Sequence, residues 1–198
     1  MPSLYIISGC NGAGKTTASY TLLPDLLNCD EYVNSDEIAK GLSPFNPSLA
    51  AIKASKLMTE RIHELLEKRA TFGIETTLAT RSLARVITGA QAIGYRVTLV
   101  FFWLQVPELA IQRVKLRVAS GGHSVPEETI IRRYGAGIDN LFHIYTPIVD
   151  YWMIIDNSNT PSKLVAEGGL SVVTKLHDKT AYNQLLNYER AREQGFKG

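Results

Sequence analysis

The chain has 198 residues, of which 45% are hydrophobic and 20% are charged, and its formal net charge is +2. This composition is ordinary for a globular protein and the length suffices for one substantial core, so we expect one domain over residues 1–198. The small net charge disfavours nucleic acid and acidic membrane surfaces as partners.

The two cysteines, Cys10 and Cys29, are too few for a disulfide framework or a zinc cluster. The N-terminus enters an apolar run directly, without a charged leader, and no apolar run approaches the length of a membrane span. We therefore expect a cytoplasmic protein with no membrane partner.

A glycine-rich segment follows the first predicted strand: residues 9–16 read Gly-Cys-Asn-Gly-Ala-Gly-Lys-Thr. The pattern G-x-x-x-x-G-K-[ST] is typical of a phosphate-binding loop, in which glycines let backbone N–H groups surround a phosphate. Lys15 is expected to reach the terminal phosphates, and the Thr16 hydroxyl is expected to ligate Mg²⁺. The residues expected to contact the nucleotide are Gly9, Asn11, Gly12, Ala13, Gly14, Lys15, Thr16 and Thr17.

Apolar periodicity and turn residues predict strands that alternate with helices along the chain. Strands are predicted at 4–7, 32–34, 72–76, 95–104, 151–156 and 171–174. Helices are predicted at 16–27, 34–41, 48–69, 82–93, 107–118, 126–140 and 182–192. This alternation predicts a mostly parallel sheet covered on both faces, with ligands at the carboxyl ends of its strands.

Acids lie at or just after the carboxyl ends of two predicted strands. Asp36 could accept the proton of an acceptor hydroxyl during phosphoryl transfer, or it could cap the short helix that begins there. Glu75 closes a buried strand, where a carboxylate needs a partner or a cation. The long strand at 95–104 is followed by no acid, which disfavours a motor or transporter ATPase.

Polar residues also follow two strands at the same predicted edge. Thr77, Thr80 and Arg81 offer the mixed donors and acceptors that sugar or alcohol recognition needs, although either threonine could instead cap the next helix. Asp156 and the two residues after it could touch the nucleotide base or form a turn.

The segment 113–133 is rich in basic residues around a Gly-Gly pair. These are Arg113, Lys115, Arg117, Arg132 and Arg133, with Gly121 and Gly122 between them. A hinged, helical lid that carries arginines suits a kinase, because arginine neutralises transition-state charge while closure excludes water. The alternative is a solvated helix face. His123 could contact a phosphate or the substrate, or make a local hydrogen bond.

Taken together, these motifs resemble those of the zeta-toxin family of phosphate-loop kinases. The resemblance rests on residues 9–17, 33–36, 74–78, 94–95, 113–114, 117–118, 121–126, 132–134 and 156–158. It implies a three-layer, nucleotide-kinase-like P-loop fold with a sheet of five or six strands. It also implies phosphorylation of UDP-N-acetylglucosamine or a related sugar nucleotide by ATP or GTP with Mg²⁺, toxicity, and a neutralising protein antitoxin.

The resemblance also implies roles for individual residues. Lys15 binds the phosphates, Asp36 is the general base, and Arg117 stabilises the transferring phosphoryl group. Longer members carry a second lid arginine where this chain has His123, which leaves Arg132 or Arg133 to supply that charge. The expected catalytic set is Lys15, Asp36, Arg117 and Arg133. The resemblance implies Glu75 and Thr77 as substrate contacts, and Arg81, His123 and Arg132 are expected to join them because of their places in the chain.

Two classes of function remain open from the sequence. The first is a small-molecule kinase that phosphorylates a hydroxyl acceptor. The second is a nucleotide-binding regulatory module that hydrolyses slowly or not at all and acts through a protein partner. Transfer of phosphate to a small acceptor is expected only from the kinase, so an assay for such transfer distinguishes the two classes.

Overall fold

Seven strands form one sheet in the computed structural model, which describes residues 1–122 and 124–195. The strands are β1 (Ser3–Ser8), β2 (Glu31–Val33), β3 (Phe72–Thr76), β4 (Arg96–Trp103), β5 (Tyr151–Asp156), β6 (Lys163–Gly169) and β7 (Val172–Leu176). Their spatial order is β2-β3-β1-β4-β5-β6-β7. Neighbours from β2 to β5 pair in parallel, whereas β6 and β7 are antiparallel additions at one edge.

Helices connect the strands and flank the sheet. They are α1 (Lys15–Thr21), α2 (Ser35–Leu42), α3 (Ala51–Glu67), α4 (Leu83–Ala92), α5 (Pro107–Ala119), α6 (Glu127–Asn140) and α7 (Lys179–Gly195). After α1 the chain continues as a π-helical turn at Leu22–Leu26, where Pro24 has no N–H group for regular helical bonding. Over residues 1–122 and 124–195, no helix is long and apolar enough to cross a membrane.

The predicted α/β class is confirmed, but the expected count of five or six strands is wrong. The strand that the prediction omits is β6, whose Gly168 and Gly169 resemble loop residues in the sequence. A Cβ on Gly168 would lie 2.0 Å from the Val172 carbonyl oxygen and 2.6 Å from the Trp152 ring. These glycines therefore serve the close packing of β6 against its neighbours, which the sequence alone does not reveal.

The register of the central strands places the phosphate loop beside an acid. β1 lies between β3 and β4, with Ile7 opposite Glu75 and Ser8 opposite Thr76. Because parallel strands end at the same edge, the loop that follows Ser8 begins next to the carboxyl end of β3. The apolar residues of β1 and β4 are almost completely buried, which fixes this edge in a rigid core.

The core position of Leu99 on β4 generates a stability prediction. Leu99 is 0% exposed, whereas Ile52 near the start of α3 is 78% exposed and loses the same number of carbon atoms on substitution by alanine. We expect Leu99→Ala to lower the free energy of unfolding by about 2–5 kcal/mol, through lost burial and a cavity. Ile52→Ala should change it by no more than about 0.5 kcal/mol. Urea unfolding followed by circular dichroism measures both, and equal losses would contradict the assigned core.

Candidate active site

The segment between β1 and α1 has the backbone of a tight loop. Gly9 has a φ of 137° and Gly14 a φ of 85°, conformations that residues with a Cβ rarely adopt. A Cβ on Gly9 would also lie 2.2 Å from the Phe102 carbonyl oxygen, and one on Gly14 would lie 2.5 Å from the Asn157 amide nitrogen. Both glycines are therefore required by the loop geometry and not only by the motif.

Lys15 and Glu75 form a nearly buried pair at the base of this loop. The Lys15 ammonium donates a 3.0 Å hydrogen bond to the Cys10 carbonyl and lies 3.6 Å from Glu75 Oε1. Only 6% of the Lys15 side chain and 9% of the Glu75 side chain are exposed. Each charge therefore compensates the burial of the other.

The second carboxylate oxygen of Glu75 accepts hydrogen bonds from three side chains. The Thr16 hydroxyl donates at 2.8 Å, the Asn34 amide donates at 3.1 Å, and the Tyr32 hydroxyl also donates. The sequence predicts Glu75 as a substrate contact, and in the structure it also links the start of α1 to the ends of β2 and β3. Glu75 is thus hydrogen-bonded to the residue expected to ligate Mg²⁺.

Asp36 lies in the first turn of α2 with an exposed side chain. The capping residue of this helix is Asn34, whose side-chain oxygen accepts the Asp36 backbone N–H at 2.8 Å. Asn34, and not Asp36, therefore caps α2, and the Asp36 carboxylate is exposed at the edge of the sheet.

Two cavities meet at this edge. The first has a volume of about 400 Å³ and is lined by loop residues together with Glu37, Arg113 and Arg117. The second has a volume of about 480 Å³ and extends from the loop toward α3 and α4. The residues that line both cavities are Asn11, Lys15, Asp36 and Glu75.

The second cavity combines hydroxyl groups with an apolar surface. Its hydroxyl-bearing residues are Ser35, Ser55, Thr59, Thr76, Thr77, Thr80 and Ser82, and its apolar residues are Met58, Ile62, Ile74, Leu83 and Val86. Thr77 thus lies where the sequence predicts a substrate contact. Arg81, between two lining residues, is exposed and is not among the described residues that line this cavity.

The arginines of the predicted lid fall into different positions on α5 and α6. Arg117 lines the first cavity, as does Arg113, which donates to the Ser158 carbonyl at 3.0 Å. Arg133 lines the second cavity and donates to the Asn11 side-chain oxygen at 3.1 Å. Arg132 is exposed and, among the described residues, lines neither cavity. The prediction for His123 lies outside the described residues.

The contacts that three residues make in the site become apparent only in the folded structure. Asn157, considered from the sequence as a base contact, donates to the Ala13 carbonyl at 2.8 Å and so supports the loop. Tyr32 in β2 and Asn34, which follows β2 in extended backbone, both point toward Glu75 because residues two apart in an extended chain share a face. That spacing is the sequence signal that could have identified Tyr32.

Cys10 is the loop residue with the clearest shift of acidity. Burial raises its pKa to about 11, although the nearby Lys15 charge acts in the opposite direction. The pKa of Cys29, also buried, is raised to about 11 for the same principal reason. Both thiols are therefore protonated near neutral pH, and neither has the character of a reactive thiolate.

We expect both thiols to react slowly with iodoacetamide at pH 8. The raised pKa lowers the thiolate population, and burial restricts access, so alkylation should be about 100-fold slower in the native protein than in the urea-unfolded chain. Mass spectrometry of peptides containing Cys10 and Cys29 measures the rates. Equal rates in the native and unfolded states would contradict the assigned burial.

The loop after β1, the sheet order and the joined cavities are those of the P-loop kinase fold. A family model described as zeta toxin matches residues 1–161. The chain therefore belongs to the zeta toxin family, which confirms the resemblance seen in the sequence motifs.

One protein is similar to this chain in sequence, and two solved chains share its fold. An uncharacterized protein of Haemophilus influenzae is 32% identical over 126 residues, which is 64% of this chain and 88% of that protein. A chain of the AvrRxo1-ORF1:-ORF2 complex with ATP shares the fold, with a TM-score of 0.73 and 16% identity over 93% of this chain. This chain spans only 63% of the length of that one. A chain from the PezAT chromosomal toxin-antitoxin system of Streptococcus pneumoniae shares the fold with a TM-score of 0.61 and 16% identity, covering 100% of this chain and 88% of that one.

Proposed function

We propose that the protein transfers the terminal phosphoryl group of ATP or GTP to a hydroxyl group of a small acceptor. The observation that carries this proposal is the common wall of the two cavities, formed by Asn11, Lys15, Asp36 and Glu75. A donor phosphate on the loop side and an acceptor hydroxyl on the other side would face each other across Lys15 and Asp36. Such positioning accounts for most of the catalysis in phosphoryl transfer.

The loop side suits the donor nucleotide. Its backbone N–H groups and the Lys15 ammonium would bind the phosphates, and Arg117 would neutralise charge on the transferring group. The AvrRxo1 complex that shares this fold was solved with ATP, so ATP is the first donor to test.

The residues around Thr16 also fit Mg²⁺. Mg²⁺ prefers hard oxygen ligands and is commonly held by one or two protein groups together with substrate phosphates. The Thr16 hydroxyl and the Glu75 carboxylate, 2.8 Å apart, supply oxygen atoms of this kind. When bound, the ion would neutralise charge that develops on the phosphates.

In the proposed chemical step, side chains of this protein act on both the donor and the acceptor. The acceptor oxygen forms a bond to the terminal phosphorus, and the bond from that phosphorus to the nucleoside diphosphate breaks. Asp36 takes the proton of the acceptor hydroxyl as this happens. Arg133, anchored on Asn11, would hold the lid over the same wall.

The second cavity suits a hydroxylated acceptor such as a sugar. Its serine and threonine hydroxyls can donate and accept hydrogen bonds, while its apolar residues can pack against a ring. The family resemblance implies UDP-N-acetylglucosamine, so this compound and free N-acetylglucosamine are the first acceptors to test. A protein antitoxin is a further proposed partner, supported by family membership and by the shared fold with PezAT.

The decisive assay incubates the protein with labelled ATP or GTP, Mg²⁺ and each acceptor, and detects phosphorylated acceptor by chromatography and mass spectrometry. We expect label in the acceptor. Nucleotide binding without transfer to any hydroxyl compound would instead support the regulatory-module alternative.

Asp36→Asn is the direct test of the proposed base. It should lower kcat by about 10²- to 10⁴-fold, because the amide takes no proton, while the affinity for ATP stays near that of the wild type. Asp30→Asn is the matched control, since Asp30 is an exposed acid in the turn before β2. Transfer by Asp36→Asn at the wild-type rate would show that the base is assigned wrongly.

Substitution of two adjacent arginines on α6 tests which of them contributes to catalysis. Arg133→Ala should reduce kcat by about 100-fold, because Arg133 lines the acceptor cavity and bonds to Asn11. Arg132→Ala, on the exposed side of α6, should have a much smaller effect. Steady-state kinetics with the identified acceptor compares the two variants, and equal losses would contradict the distinction drawn from the structure.

A further inference from the structure

Tyr32 and Asn34 hold the Glu75 carboxylate from the side of β2. Glu75 Oε2 accepts the Tyr32 hydroxyl and the Asn34 amide, in addition to the Thr16 hydroxyl. The Asn34 amide also donates to the Tyr32 hydroxyl oxygen at 3.2 Å. The three groups therefore form a connected network around one carboxylate oxygen, and a shift of Glu75 would disturb all of its bonds.

This network controls the direction of the Thr16 hydroxyl. A threonine hydroxyl has one proton to donate and two lone pairs that can accept or ligate. Because Thr16 donates its proton to Glu75 at 2.8 Å, its lone pairs remain available to a cation. If the carboxylate moved, the hydroxyl could rotate and direct its lone pairs elsewhere. Glu75 therefore orients Thr16, and its own orientation depends on β2.

Tyr32 also makes an aromatic contact on the side away from Glu75. Its ring packs edge-on against Tyr20, with centroids 6.2 Å apart and planes at 69°. The ring is therefore supported from outside while the hydroxyl reaches the site.

From this geometry, and resting on the proposed function, we propose that Tyr32 is a positioning residue. It holds Glu75 against Thr16 and thereby sets the affinity of the site for the Mg²⁺ complex of the nucleotide. Tyr32 acts through Glu75 and does not touch the reacting atoms. Its contribution should therefore appear in metal-dependent binding.

Tyr32→Phe tests the proposal, because it removes the hydroxyl and keeps the ring. The dissociation constant for ATP is measured by calorimetry with and without Mg²⁺, on protein whose folded fraction is determined by circular dichroism. With Mg²⁺ we expect binding to weaken about tenfold, the range seen when groups that orient metal ligands are removed. Without Mg²⁺ it should change less than about twofold. Tyr20→Phe is the matched control: it removes a hydroxyl from the neighbouring ring, whose residue is 62% exposed, and should bind as the wild type does.

A double-mutant cycle with Glu75→Gln shows whether Tyr32 acts through the carboxylate. We expect Tyr32→Phe to add little to the loss caused by Glu75→Gln, since its proposed path is then already broken. Full additivity would overturn the proposal. So would wild-type binding by Tyr32→Phe, or an equal loss with and without Mg²⁺. These experiments measure ATP binding and not phosphoryl transfer. If no transfer is found, the proposed kinase activity fails, but the role of Tyr32 in Mg²⁺-dependent binding can still be confirmed or contradicted.

Discussion

The burial of the Glu75 carboxylate at the end of β3 is the constraint on which the arrangement of the site depends. An isolated charge there would be costly, and breaking a buried charge pair by removing one partner costs roughly 3–5 kcal/mol. The fold meets this requirement with the Lys15 ammonium 3.6 Å from one oxygen and three hydrogen-bond donors on the other. These partners come from the start of α1, from β2 and from the residue that caps α2, so satisfying one charge brings three segments together.

The same requirement explains how one wall can serve two cavities. Lys15 and Glu75 are too deeply buried to move freely, and they separate the loop side from the side that extends toward α3 and α4. Asp36 is exposed at the end of this wall, and Asn34, the residue after β2, supplies the helix cap. A rigid charged wall with an exposed acid beside it would hold two bound molecules in the orientation that the proposed transfer needs.

Much of this architecture could be predicted from local sequence signals. The loop motif, the parallel strands and the acids near the ends of β2 and β3 each have a signature within about ten residues, and the structure places them where those signatures indicate. Membership of the zeta toxin family was likewise recognisable from spaced motifs. The catalytic and substrate roles of Asp36, Arg117, Arg133 and Thr77 stay predictions.

What the sequence could not reveal depends on contacts between distant residues. β6 was omitted because Gly168 signals a break locally, and its need for close packing against Trp152 appears only in the folded sheet. The hydrogen bond from Tyr32 to Glu75 joins residues 43 apart, and the bond from Asn157 to Ala13 joins residues 144 apart. Arg132 and Arg133 are adjacent in sequence, yet the helix directs only the second toward the site, since neighbouring helical residues lie on different faces.

The most direct test of the two-cavity account is whether donor and acceptor occupy the protein together. A nonhydrolysable ATP analogue with Mg²⁺ would be titrated calorimetrically into protein saturated with the acceptor that the transfer assay identifies, and into free protein. The account predicts a ternary complex, with the dissociation constant of the analogue changed by no more than a few fold. Mutually exclusive binding, seen as a competitive loss of analogue affinity, would contradict it.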